Sequence, residues 1–148
     1  VGAYEWDLAG GARIVEPDPA HRSELEQVRS ELLALPAADR PIDVGFLVVE
    51  FDGGFPGVVL HTTSRHDGEL TRVLELAGTV MGFVESSYRA SIEGVDTIGG
   101  VHVFHVEEGV VGGMEARIWR QGPRTVILTG PYGVGLEDIA RATIAFNG

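Results

Sequence analysis

Three short runs rich in β-branched and aromatic residues constrain the fold of this chain more than any other feature. They are VHVFHVE at 101–107, MEARIWR at 114–120 and RTVILT at 124–129. Only short, glycine-containing breaks separate them. Connections of this length join antiparallel strands, because a parallel crossover needs a dozen residues or more. We therefore predict an antiparallel sheet for this part of the chain.

Two further strands are predicted upstream, VGFLVVEF at 44–51 and VVLHTT at 58–63. Asp52, Gly53 and Gly54 lie between them and are typical of a tight turn. The two strands are therefore expected to form a β-hairpin that joins the same sheet.

Three segments show the apolar spacing of amphipathic helices, at 20–35, 68–90 and 136–146. Asp67 is placed to cap the longest of them. The predicted order is α-β-β-α-β-β-β-α, an α/β (α+β) fold in which helices pack on a five-stranded antiparallel sheet. Residues 91–100, which are rich in glycine, are interpreted as a linker.

The length of 148 residues suits a single domain with its own apolar core. Within it, we interpret residues 1–17 as an N-terminal extension or an extra strand, and residues 18–148 as the core of the fold.

The predicted order resembles that of the Roadblock/LC7 domain family. The resemblance lies in LEQVRSELLALP before GFLVVEFDGG, in GVVLHTTSRHDGELTRVLELAGTVMGFV, and in GGMEARIWRQGPRTVILT. These segments look like the first helix and hairpin, the long central helix and the closing strands of that family, over about residues 22–146. The resemblance implies a Roadblock/profilin-like, non-enzymatic module. It also implies a homodimer or heterodimer joined edge to edge, acting as a regulator or scaffold for small Ras-like GTPases and motors.

A second resemblance leaves an alternative open. The stretch ARIWRQGPRTVILTGPYGVGLEDIARATI is similar to the end of bacterial extracytoplasmic regulator domains associated with anti-sigma factors. It implies a ligand- or stress-sensing domain of a bacterial membrane protein or lipoprotein. A signal peptide or anchor before Val1 would favour that alternative; otherwise we expect a cytoplasmic protein.

The charge of the chain disfavours two classes of partner. The formal net charge is -11, and every basic residue is Arg, which is typical of a GC-rich genome. Nucleic acids and anionic membrane surfaces both attract clustered positive charge, which this sequence lacks. No apolar run is long enough to span a membrane, so we predict no membrane insertion in this segment. The absence of Cys excludes disulfide and thiolate chemistry.

The five histidines raise the question of a metal site. In a strand at 101–107, His102 and His105 point to opposite faces and cannot bind one ion together. The alternative for these histidines is a set of local hydrogen bonds at the surface. We predict no metal and no cofactor.

Two polar sets raise the question of hydrolase activity. They are Ser64, His66 and Asp67, which are close together in sequence, and His61 with Glu107. Catalytic triads are recognised by geometry and rarely lie side by side in sequence, and the chain has no G-x-S-x-G motif. The loop at 130–135 is not followed by the Lys of a P-loop. We therefore predict no catalytic residues.

A binding surface is predicted on the strand at 114–120. Strand alternation places Glu115, Arg117 and Trp119 on one face, with Arg120 and Arg124 at its margin. Trp and Arg are enriched among residues that dominate interface energy. The partner is expected to be a protein, with a small Ras-like GTPase and a second copy of the chain as the leading candidates.

The interface hypothesis has two parts, the face that carries Trp119 and the helix predicted at 68–90. Each of them could instead make contacts within the same chain. The last helix could cover the Trp119 face, with Glu137 and Asp138 pairing with the Arg residues. Gly78 and Gly82 form a G-x-x-x-G pattern that permits close helix approach, either across a dimer or against the sheet of the same chain.

Overall fold

The computed structural model describes residues 4–34, 36, 40–54, 56–63, 90–108, 114–131 and 133–148. Seven strands and two helices lie in these residues: β1 (Ala12–Val15), α1 (Pro19–Leu33), β2 (Asp43–Phe51), β3 (Pro56–Thr63), β4 (Ala90–Ile98), β5 (Val101–Glu108), β6 (Met114–Gln121), β7 (Arg124–Pro131) and α2 (Leu136–Asn147). The predicted α+β class is confirmed, as are the five predicted strands and the first and last helices.

The described strands form one antiparallel sheet in the order β1-β2-β3-β7-β6-β5-β4. The prediction of five strands was wrong, because the sheet has seven. The additional strands are β1, within the N-terminal extension, and β4, which occupies the segment interpreted as a linker.

A register shift explains why β4 was missed in the sequence. The pairing of β4 with β5 slips between Ile92 and Gly94, so one extra residue lies on the β4 side. A bulge of this kind interrupts the period-two alternation from which a strand is recognised. Gly94 also lowers the apparent strand propensity.

Two capped helices flank the sheet. Asp18 caps α1, since its Oδ1 accepts a hydrogen bond from the backbone nitrogen of His21 at 2.8 Å. Gly135, with a φ of 82°, lies at the N-cap of α2, and Glu137 and Asp138 follow in the first turn. In the part of the chain that the structure describes, no helix has the length and apolar character needed to cross a membrane.

Apolar clusters cover both faces of the sheet. One face packs against α1, through Leu32, Val44, Leu60, Ala116, Ile118 and Ile127. The other packs against α2, through Val49, Phe51, Val59, Ile98, Val103, Trp119, Val126, Leu128, Leu136, Ile139, Ala140 and Ile144. The sequence pattern of β6 predicted one core face and one partly polar face, whereas helices cover both.

Residues 4–8, hereafter the N-terminal arm, lie in the segment interpreted as an N-terminal extension or an extra strand, and they carry no strand pairing in the structure. The arm packs against the cluster beneath α2 through Tyr4, Trp6 and Leu8. The long helix predicted at 68–90 lies outside the described residues, except for Ala90, which begins β4.

Candidate functional site

The outer edge of β4 is the leading candidate for a binding surface. β4 is the last strand on one side of the described sheet and has nine residues, of which 94–98 pair regularly with β5. The side chains at 95–97 are exposed, and Val95 is 50% accessible. An edge strand presents unpaired backbone N–H and C=O groups that can pair with another chain. This surface could not be predicted from the sequence, because the bulge in β4 obscures the strand pattern.

The opposite edge of the sheet is less suited to pairing. β1 has only four residues, and its Arg13 forms an ion pair with Glu50 of the adjacent β2. Short edge strands that carry charged side chains discourage pairing between sheets. Ile14 is 57% exposed on this edge, which makes it a natural control position for Val95.

Trp119, predicted as an interface anchor, lies in the core of the chain. It is 1% exposed, and its Nε1 donates a hydrogen bond to the Tyr4 hydroxyl at 3.0 Å. An anchor residue contributes through area that is accessible before the partner binds. Trp119 has almost none, so the intramolecular alternative describes its position better.

The three Arg residues assigned to the predicted binding surface do not share one surface in the structure. Arg120 and Arg117 project from opposite faces of β6, since their positions differ by three. Arg124 pairs with Gln121, four residues along β6 from Arg117, which separates the two Arg positions by about 13 Å. Glu137 forms its ion pair with Arg141 of the same helix. Gly78 and Gly82 lie outside the described residues, so that part of the interface hypothesis stays a prediction.

Glu115 and Arg117 instead belong to a buried ion cluster on the face covered by α2. Glu115 Oε2 lies 3.3 Å from His105 Nε2, and Glu115 Oε1 lies 3.8 Å from Arg117 Nη1. His105 and Arg117 are direct cross-strand partners. The side chains of Glu115 and Arg117 are only 10% and 11% exposed. Each charge therefore depends on the other for compensation.

The histidine geometry follows the predicted alternation. His105 contacts Glu115, whereas His102 lies on the other face of β5, with Nδ1 3.3 Å from Thr97 Oγ1. Within the described residues, no group of three or more His, Asp or Glu side chains has the geometry of a metal site.

Of the two sets of residues considered for hydrolase activity, only one lies in the described part of the chain. His61 lies on β3 and Glu107 on β5, with β7 and β6 between them and an offset of four residues along the strands, which separates the two positions by roughly 20 Å. That distance exceeds direct proton transfer between side chains. Ser64, His66 and Asp67 lie outside the described residues.

An aromatic cluster links the N-terminal arm to the sheet. The Trp6 ring lies 5.0 Å from the Tyr4 ring and 5.2 Å from the His61 ring, between centroids. His61 Nδ1 lies 3.4 Å from Arg124 Nη1. A side chain at Gly45 would collide with the His61 ring, so this glycine permits His61 to lie flat on the sheet. The alternation of Tyr4, Trp6 and Leu8 was the only sequence signal for this cluster.

The stability of the protein is expected to fall as the pH is lowered through 6.5. Burial lowers the pKa of His61 below its ordinary value of 6.5, and Arg124 lowers it further, against the opposing effect of Asp43. The unfolded chain takes up the proton near pH 6.5, whereas the folded chain resists it until lower pH. Stability present above pH 6.5 is therefore lost as the pH falls through the folded pKa.

Thermal melts of the wild type and of His61→Gln at pH 7.5 and pH 5.5 measure this contribution. The other titrating groups are common to both proteins, so the difference between the two melting temperatures isolates His61. The wild type should lose more stability than the variant on acidification. Equal losses of stability in the two proteins would show that His61 does not cause this pH dependence.

Comparisons with protein-family models, with curated proteins and with solved structures find no significant match to this chain.

Proposed function

We propose that this protein is a non-enzymatic regulator or scaffold that dimerises and binds a partner protein. The observation that carries the proposal is the edge of β4, a nine-residue terminal strand whose described side chains at 95–97 face solvent. Pairing of β4 with β4 of a second copy would extend the sheet across a two-fold axis. Main-chain hydrogen bonds supply the affinity of such contacts, and side chains set their register.

The core of the fold supports a scaffold more than an enzyme. A polar cluster in the described residues brings Glu115 within 3.3 Å of His105 and within 3.8 Å of Arg117, so these side chains are engaged within the chain. The aromatic cluster around His61 is covered by the N-terminal arm. Among the described residues, the β4 edge is an extended surface with exposed side chains that is suited to recognition.

The proposed partner class is a small Ras-like GTPase, on the strength of the Roadblock/LC7 resemblance. The expected complex contains the dimer, whose joined sheet gives a larger platform than one copy. Titration with purified small Ras-like GTPases, in GDP-bound and GTP-bound forms, tests this class by calorimetry. Absence of binding to every such GTPase at the highest soluble concentrations would contradict it, without affecting the dimer.

Val95→Lys should weaken the dimer at least tenfold, which corresponds to about 1.4 kcal/mol. The substitution places a charge on each of two facing edges, which is how natural edge strands prevent pairing. Val95 is half exposed, so the monomer should remain folded. Sedimentation equilibrium gives the dissociation constant.

Ile14→Lys is the matched control for this substitution. It introduces the same charge at a β-branched, exposed position of β1, on the other edge. It should leave the dimer unchanged. Equal weakening by both variants would indicate a general charge effect, and unchanged dimers in Val95→Lys would place the contact elsewhere.

A further inference from the structure

The N-terminal arm is held to α2 by side chains rather than by a strand ladder. The Glu5 nitrogen donates to Asn147 Oδ1 at 3.0 Å, and Asn147 Nδ2 donates to the Glu5 carbonyl at 2.7 Å. One helical turn earlier, Thr143 Oγ1 accepts from the Asp7 nitrogen at 3.2 Å and donates to the Asp7 carbonyl at 3.0 Å. Thr143 and Asn147, which are four residues apart on α2, thus form hydrogen bonds with alternate backbone positions of an extended segment.

The other side chains of the arm fill the groove between α2 and the sheet. The Tyr4 hydroxyl donates to Gln121 Oε1 at 2.6 Å and accepts from Trp119 Nε1. Burial raises the pKa of Tyr4, although Trp119 and Arg124 act in the opposite direction, so the hydroxyl keeps its proton. Trp6 packs on His61. The groove therefore recognises an extended peptide with aromatic residues at alternate positions.

A strained turn connects the arm to β1. Ala9 has a φ of 53° and Gly10 a φ of 73°. Ala9 is, among the described non-glycine residues, the one with positive φ. The left-handed region is unfavourable for Ala because its Cβ crowds the carbonyl oxygen. The Gly11 nitrogen donates to the Leu8 carbonyl at 3.0 Å, which closes the turn. Straightening of this hinge would release the strain at Ala9.

We propose that the groove between α2 and the sheet binds the N-terminal arm of a second copy, so that two chains exchange residues 4–8 through an opened hinge at Ala9 and Gly10. The exchange is independent of the β4 contact. It gives the protein a second, slower route to association.

A second copy fits this groove better than an unrelated peptide does. Reciprocal exchange keeps every contact of the arm, because each groove receives the same five residues. An external peptide must instead displace an arm whose tether holds it at an effective concentration in the millimolar range. Domain swapping is favoured where a short hinge is strained in the closed form.

Two single-methyl substitutions in the hinge test the proposal in opposite directions. In Gly10→Ala the new Cβ meets no atom within 4 Å, so its effect is confined to the strain of the closed turn. Each exchanged dimer relaxes two hinges, so Gly10→Ala should tighten it about thirty-fold. Ala9→Gly removes the existing strain at an exposed position and should weaken the dimer by a similar factor.

The measurements are made by sedimentation equilibrium on the full chain in the Val95→Lys background, where the β4 contact is weakened. Opposite shifts in the two variants support arm exchange. A Gly10→Ala protein that stays monomeric at all concentrations, or equal effects of both variants, would overturn it. The β4 contact is tested by the effect of Val95→Lys alone, so failure of arm exchange leaves the proposed function untouched.

A disulfide trap checks which chain each arm belongs to. The protein has no Cys of its own. Copies with Glu5→Cys are mixed with differently tagged copies carrying Asn147→Cys, both also with Gly10→Ala and Val95→Lys. Exchange predicts a disulfide between unlike copies under mild oxidation. Its absence, while the mass is that of a dimer, would overturn the exchange topology.

Discussion

Trp119→Ala is expected to lower the free energy of unfolding by about 4 kcal/mol. The Trp119 side chain is 1% exposed and packs in the cluster beneath α2, between Val103 and Val126 on the neighbouring strands. The substitution removes its buried area, leaves a cavity, and deprives the Tyr4 hydroxyl of its donor. The melting temperature should fall by roughly 8–16 °C for a domain of this size.

Chemical denaturation measures this loss directly, and two controls define its origin. Trp119→Phe retains a ring but not the indole N–H, so it should lose less than the Ala variant. Ile14→Ala, at an exposed position of β1, should lose about 0.5 kcal/mol or less. If Trp119→Ala has the melting temperature of the wild type but no longer dimerises, Trp119 contributes to an interface and not to the stability of the core.

Glu115→Gln should cost about 3 kcal/mol of stability. Glu115 supplies the carboxylate that faces both His105 and Arg117, and the two charged side chains are almost fully buried. Removal of the negative charge leaves the Arg117 guanidinium buried without its counter-charge. A buried charge without a partner is far more costly than the pair as a whole.

The double variant Glu115→Leu with Arg117→Met isolates this effect. Replacing a buried ion pair by apolar side chains of similar volume is often neutral, so the double variant should be more stable than Glu115→Gln. Urea unfolding of the wild type and both variants provides the comparison. A loss below about 1 kcal/mol in Glu115→Gln would show that solvent already screens the cluster.

The sequence predicted most of the fold because its local signals agree with the tertiary structure. Runs of β-branched and aromatic residues between short glycine-containing breaks revealed β6 and β7, and the turn residues Asp52, Gly53 and Gly54 located the hairpin. β4 was not predicted because its bulge breaks the period-two pattern. An extra strand was considered within residues 1–17, but four residues are too few to show that it lies at Ala12–Val15.

The candidate site was less predictable, because it depends on which elements cover which face. Alternation correctly grouped Glu115, Arg117 and Trp119, but it could not show that α2 packs on this face of the sheet and that the arm contacts Trp119. The hydrogen bonds between Thr143 and Asp7 join residues 136 apart in sequence. No local pattern carries that information. The exposed edge of β4 could likewise not be predicted, because it depends on the strand order of the sheet.

The most direct test of the central claim is the solution mass of the unmodified protein as a function of concentration. Light scattering at about 150 mM salt is appropriate, since the net charge of -11 on each copy opposes association at low ionic strength. In freshly diluted protein, before the slower arm exchange, the β4 contact predicts that the mass rises from 15.8 kDa to about twice that value, and that Val95→Lys shifts the rise to higher concentration. A mass that stays at 15.8 kDa up to the highest soluble concentration would contradict it.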